Sequence, residues 1–310
     1  MNVWTALTIT LAVAALCSAQ SATELAKRFD YDRSAPLNIE KLSTQHRGDV
    51  TIEDITYAGA DGKAVPAYLV VPAGKGHFAA VLWGHWMMDG SPYKNRTEFL
   101  DEAVALAPSG VVSLLIDAPM VRPGYKPQDD LKNDKQDIVD LRRGLDLLLA
   151  RKDVDPKRVA YVGHSFHAGT GGILAGVEPR LTALVLMAGG LDADQFLTSQ
   201  SKMAVEVRQK HSPEEIKQYL TANGASNPKH YLQGKHSPLL LQFGTQDIFM
   251  TEEDCREYAS IVSPPVEVEY YEAGHELNAT ARHERIAWLQ MQLNLKSVDW
   301  KAMKAVPEIK

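Results

Sequence analysis

Short apolar runs recur through the middle of this chain, at Phe78 to Trp83, Val111 to Ile116, Val159 to Val162, Leu181 to Met187 and Pro238 to Phe243. Each is too short for a typical helix and is bounded by turn residues, and near-continuous apolarity marks a strand buried on both faces. Helical spacing fills the intervals, as in Thr97 to Ala107 and in Ile138, Leu141, Leu145, Leu148 and Leu149 within Lys135 to Arg151. Strands that alternate with helices build a mostly parallel, twisted sheet with helices on both faces. The expected fold class is therefore α/β.

Two further β-rich runs, Val50 to Tyr57 and Val65 to Val71, flank Ala60-Asp61-Gly62-Lys63, whose Asp-Gly pair favours a tight hairpin turn. They predict an N-terminal antiparallel hairpin at one sheet edge. Val266 to Tyr271 alternates apolar and acidic residues before its tyrosines, as a half-exposed edge strand should. Thr251 and Asp254 form a capping-box start for a helix running to Val262. Ile286, Leu289 and Leu293 mark a last helix.

The organisation expected along the 310 residues is one large domain with additions. Residues 1–19 read as a secretory signal: an apolar run, Val3 to Leu16, precedes the small residues Cys17-Ser18-Ala19 and is too short to span a bilayer comfortably. Cleavage after Ala19 would place the protein outside the cytoplasm, secreted or periplasmic, with no integral membrane span. Residues 20–49 read as an N-terminal extension, a helix plus a connecting segment, and residues 50–310 as the main domain. Within it, residues 190–237 form the longest break in the alternation and predict a small helical, cap-like insertion. Ser212-Pro213-Glu214-Glu215 starts a helix there.

The formal charge of −6, with both signs interspersed, leaves no basic stripe and argues against nucleic acid as a partner. Signal removal would leave Cys255 as the single cysteine, more in keeping with a buried small hydrophobe than a nucleophile.

The chemistry centres on Arg158 to Gly172. A strand ends in Gly163-His164-Ser165, and a small-residue segment leads into a helix. A serine on such a bend has its hydroxyl pushed clear of the sheet, with the helix N-terminus aimed at its reaction partner. Ser165 is the candidate nucleophile. Two residues on, His167 occupies a position where a small residue would ease strand-helix contact, so its side chain must point outward or force the two apart.

A serine hydroxyl needs a base, usually a histidine held in one tautomer by a carboxylate. Asp247 follows the strand Pro238 to Phe243, and His275 follows Val266 to Tyr271, both just past strand carboxyl ends. Asp192 and Asp194, after Leu181 to Met187, are rival acids. An oxyanion needs two N–H donors. One is the amide of Phe166. The other should come from Gly84-His85-Trp86-Met87, which resembles the histidine-glycine loop of many ester hydrolases; that resemblance implies the amide of Met87, with Trp86 as the alternative. The side chains of Trp86 and Met87 are candidate apolar walls for substrate. His164 is expected to pack under this loop, His85 to lie behind it, and Arg122 to be solvated. His77, His85, His164 and His167 are too scattered to argue a zinc site.

Taken together, Val81 to Met87, Asp153 to Gly172, Leu239 to Asp247 and Glu272 to His275 resemble the α/β-hydrolase superfamily. The lead-in Asp153-Val154-Asp155-Pro156-Lys157-Arg158-Val159 and the early hairpin are similar to its dienelactone hydrolase and acetyl-xylan-esterase-like branch, with serine where dienelactone hydrolases proper use cysteine. The resemblance implies a serine hydrolase acting on a small-molecule or polymer-derived ester, with Ser165, His275 and Asp247 as the triad and no cofactor. A serine peptidase or amidase of the same fold and a noncatalytic binding protein on this scaffold are the alternatives.

Overall fold

The computed structural model describes residues 24–126, 130–189, 198–223 and 226–309. Among the described residues, nine strands form one sheet in the order β1-β2-β3-β5-β4-β6-β7-β8-β9. They are β1 (Glu40–Arg47), β2 (Val50–Ala58), β3 (Ala64–Val71), β4 (Phe78–Gly84), β5 (Val111–Ile116), β6 (Val154–His164), β7 (Ala183–Met187), β8 (Leu239–Gly244) and β9 (Val266–Tyr271). Pairing is antiparallel from β1 through β3 to β5 and parallel from β5 across to β9.

The helices are α1 (Leu100–Leu106), α2 (Asp130–Ala150), α3 (Phe166–Val177), α4 (Lys202–Lys210), α5 (Pro213–Asn223), α6 (Lys229–Leu232), α7 (Glu252–Ser260), α8 (Ala279–Gln292) and α9 (Trp300–Ala305). The sheet separates two cores, and strand alternation assigns residues to them. On β4, Ala80 and Leu82 join the layer of α2, α3 and α7, whereas Ala79, Val81 and Trp83 join the layer of α1, α8 and α9. Residues on β4 and β5 buried on both sides explain why these strands read as continuous apolar runs.

Of residues 20–49, expected as a helix and connector, the described part begins with a short helical stretch ending in the 3-10 turn Lys27–Phe29 and then, beyond the expectation, supplies an additional edge strand. All eight residues of β1 are exposed, so no apolar alternation reveals it, and backbone pairing to β2 holds it in place. The segment before β1 is pinned to α2: Arg143 donates to the carbonyls of Ala35, Pro36 and Ala58, and Arg142 donates to that of Phe29. Of the 190–237 interval, the described part forms α4, α5 and α6. Thr251 and Asp254 make the reciprocal capping bonds expected of them, fixing the start of α7.

Candidate active site

Ser165 stands between β6 and α3 with φ 55° and ψ −112°, a left-handed conformation rare for any residue but glycine. Its amide donates to Met187 O on β7 at 2.8 Å, which ties the bend to the neighbouring strand. The bend lifts the hydroxyl above the carboxyl edge of the sheet, and α3 begins at Phe166.

The loops after β8 and β9 bring two side chains to it. The Ser165 hydroxyl donates to His275 Nε2 at 2.7 Å, and His275 Nδ1–H donates to Asp247 Oδ2 at 2.7 Å. Asp247 Oδ1 accepts the Phe249 amide at 2.7 Å, so both carboxylate oxygens are used. A carboxylate only accepts, which fixes the hydrogen on Nδ1 and leaves Nε2 as the acceptor facing Ser165. The Asp247 carboxylate is buried, and the Phe249 ring lies 4.4 Å from the imidazole of His275. The structure therefore joins Ser165, His275 and Asp247 in one hydrogen-bonded line. Asp192 and Asp194 lie outside the described residues.

The loop after β4 faces the same hydroxyl. Among the described residues, the amides of Phe166 and Met87 donate to nothing, whereas the Trp86 amide donates to Glu98 Oε2 at 2.5 Å. Trp86 is thus withdrawn as an oxyanion donor, because its N–H is already occupied. Its side chain is not a substrate wall either. The indole is buried and stacks on His164 at 5.1 Å. Met87 does line the cleft beside Ser165.

His167 corrects the expectation that its side chain must point outward or force strand and helix apart. It is fully buried, its Nδ1–H donates to His85 O at 2.6 Å, and its Nε2 faces Asp137 at 3.3 Å. Space for it comes from glycines on the strands: a Cβ on Gly84 would lie 2.6 Å from the His167 side chain, and one on Gly163 2.3 Å from its carbonyl. Small residues on β4 and β6 make this room, Gly171 within α3 still packs tightly against Leu186 and Tyr161, and close packing is kept.

His85 donates from Nδ1 to Trp86 O at 2.6 Å and accepts the Ala118 amide at Nε2 at 2.9 Å. It is therefore neutral, and burial holds its pKa well below the usual histidine value. In a trans peptide the C=O and N–H point opposite ways. Anchoring Trp86 O to the His85 ring consequently aims the Met87 amide away from that ring.

Arg122, expected in solvent, is largely buried and donates to Asp140 Oδ2 at 2.5 Å and to Asp117 O. It braces the loop after β5. Cys255 is buried, and burial pushes its thiol up to about 12, leaving it without nucleophilic character at neutral pH. Among the described residues, no group of three or more His, Cys, Asp or Glu side chains is placed to hold a metal ion.

The hydroxyl opens on a cleft of about 440 Å3 lined by Met87, Met88, Ile138, Phe166, Ile173 and Phe249, with Ser226 and Pro228 of the 190–237 interval at one wall. Among the described residues, no charged side chain lines it apart from the titratable His275. Glu98 was not singled out by sequence reasoning. A lone acid just before a helix carries no local signal, and its importance arises only from what β4 and β6 bring to it.

No family model matches the sequence, and no curated protein does. Solved structures do. The chain is similar to an acetyl xylan esterase from a Paenibacillus species, with 21% identity and a TM-score of 0.67 over 88% of this chain and 92% of that one. Acetyl xylan esterase 1 from a Thermoanaerobacterium species gives 17% identity and a TM-score of 0.66 over 89% and 94%. An esterase of Pyrococcus furiosus gives 15% and 0.59 over 85% and 99%. The fold is that of the α/β-hydrolases.

Proposed function

We propose that this chain is a serine esterase that works through an acyl-enzyme. The observation that carries the reading is the Ser165–His275–Asp247 line, with both contacts at 2.7 Å, opening on an apolar cleft beside two unoccupied amides. Ser165 Oγ attacks the ester carbonyl carbon while His275 Nε2 takes its proton. The resulting oxyanion sits between the amides of Phe166 and Met87, helped by the N-terminus of α3. His275 then returns the proton to the departing alkoxide oxygen. Water repeats the sequence on the acyl-enzyme and releases the acid. Asp247 keeps His275 in the required tautomer.

The cleft adds a substrate class. Its volume lies in the range of ligand pockets, and its walls favour an uncharged apolar group larger than the acetyl for which the xylan esterase neighbours are named. Export follows from the reading of residues 1–19, which predicts a mature N-terminus at Gln20. Among the described residues no helix is long and apolar enough to cross a membrane.

The test is a p-nitrophenyl ester series from acetate to octanoate, run beside aminoacyl p-nitroanilides. Hydrolysis of the esters is expected, with kcat/KM rising about fourfold per methylene until the cleft is filled. A Cβ at Gly169, on the cleft wall, would meet nothing within 4 Å, so Gly169→Leu grows into open space. It should lower the octanoate-to-acetate ratio by at least about tenfold. Cleavage of the anilides without the esters would reject the esterase reading. Acetate as the best ester would reject only the substrate class.

A further inference from the structure

Behind the Ser165–His275 pair, three loops converge on two buried side chains that the proton relay does not use. Glu98 and His164 are both inaccessible at their side chains. Glu98 Oε1 lies 2.5 Å from His164 Nδ1, and its Oε2 accepts the Trp86 amide. His164 Nε2–H donates to the backbone carbonyl of His275 at 2.8 Å. The imidazole of His164 packs against both the Trp86 indole, at 5.1 Å, and the His275 ring, at 5.5 Å, and those two rings lie 6.3 Å from each other.

These contacts fix a proton count. A carbonyl only accepts, so His164 Nε2 must carry hydrogen. One further proton lies between Nδ1 and Oε1, on either atom, because a bare carboxylate facing a bare ring nitrogen would repel. Whichever atom holds it, the pair is neutral overall and every polar atom has a partner, as burial demands.

The pair also touches both halves of the chemistry. Through Trp86 N–H it grips one end of the His85–Trp86 peptide, whose other end, His85 O, is held by His167. The next peptide carries the Met87 amide. Through Nε2 it grips the main chain of His275.

We propose that Glu98 and His164 are a positioning pair that sets the spacing between the oxyanion donor Met87 and the base His275. The proposal rests on the esterase reading above. The pair acts by hydrogen bonding rather than by charge, which makes glutamine a faithful substitute. In Glu98→Gln the amide oxygen accepts from Trp86, and the amide nitrogen donates to Nδ1 of a neutral His164.

The test compares Glu98→Gln, Glu98→Leu and His164→Phe with wild type on the best p-nitrophenyl ester, recording kcat, KM and the acid limb of the pH profile. Glu98→Leu should lower kcat by about 10- to 100-fold with KM nearly unchanged, because misplaced groups weaken the transition state more than binding. His164→Phe keeps a stacking ring but loses both bonds, and should fall by a similar factor. It serves as the second readout if the leucine variant does not fold. Glu98→Gln should keep kcat within about threefold of wild type and leave the acid limb in place, since every bond retains a donor and an acceptor.

A glutamine variant as impaired as the leucine one, or a shifted acid limb, would mean that charge matters and would overturn the proposal. So would folded Glu98→Leu or His164→Phe with wild-type kcat. Ester hydrolysis absent from wild type would instead remove the esterase reading itself, and the proposal with it.

Discussion

Ser165 spends its backbone freedom on reactivity: φ 55° is tolerated because Met187 O takes its amide and α3 starts at the next residue. The expected consequence is a sharp separation of activity from stability. Ser165→Ala and His275→Ala should each lower kcat by roughly four to six orders of magnitude, with melting temperature changed little. Asp247→Asn, which disturbs the tautomer, should cost about four orders. Wild-type activity in Asp247→Asn would return the acid role to Asp192 or Asp194. These three positions were legible in the sequence because each follows a strand end, where turn residues and chemistry coincide. Glu98 and the inward His167 were not, since Glu98 meets a histidine 66 positions away and His167 a carbonyl 82 away. Local patterning carries no trace of such contacts. The buried Trp86 misled for the same reason: an apolar ring in a loop reads alike whether it lines a cleft or stacks on a histidine.

The turns after β4 and β6 work as one unit at the level of elements. Gly84, at the end of β4, lies against His167 at the start of α3, so the oxyanion loop and the nucleophile bend share one contact. Gly84→Ala should therefore destabilise the fold by about 1–3 kcal/mol. It should also depress kcat by shifting Met87 relative to Ser165, and thermal unfolding beside ester kinetics would check both. Unchanged kcat in a destabilised variant would separate the contact from the chemistry. The strands from β4 to β8 were readable because burial on both faces leaves an apolar run, and β9 because one face is wet. β1 and α9 were not. The first is wholly exposed, and the second is six residues long with a single buried member, Met303.

Across the whole molecule, α2 joins the hairpin to the parallel sheet. Asp140 accepts from the Ala60 amide at 2.7 Å and from Arg122, while its carbonyl accepts the Tyr57 hydroxyl. Burial outweighs the Arg122 guanidinium and raises the Asp140 carboxyl from 3.8 to about 6. A raised carboxyl contributes stability that is complete below its unfolded value and is lost as pH rises through the folded one, so this contribution fades between about pH 4 and pH 6. Carboxyl-carbon NMR should show one aspartate titrating near pH 6 that vanishes in Asp140→Asn; a normal midpoint would contradict the burial argument. For the architecture as a whole, the most direct measurement is intact-mass analysis after treatment with a fluorophosphonate, followed by peptide mapping. Stoichiometric phosphonylation of Ser165, abolished in Ser165→Ala and strongly slowed in His275→Ala, is the expected result. A folded wild-type protein that takes up no label, or takes it up elsewhere, would contradict the assignment of Ser165 as an activated nucleophile.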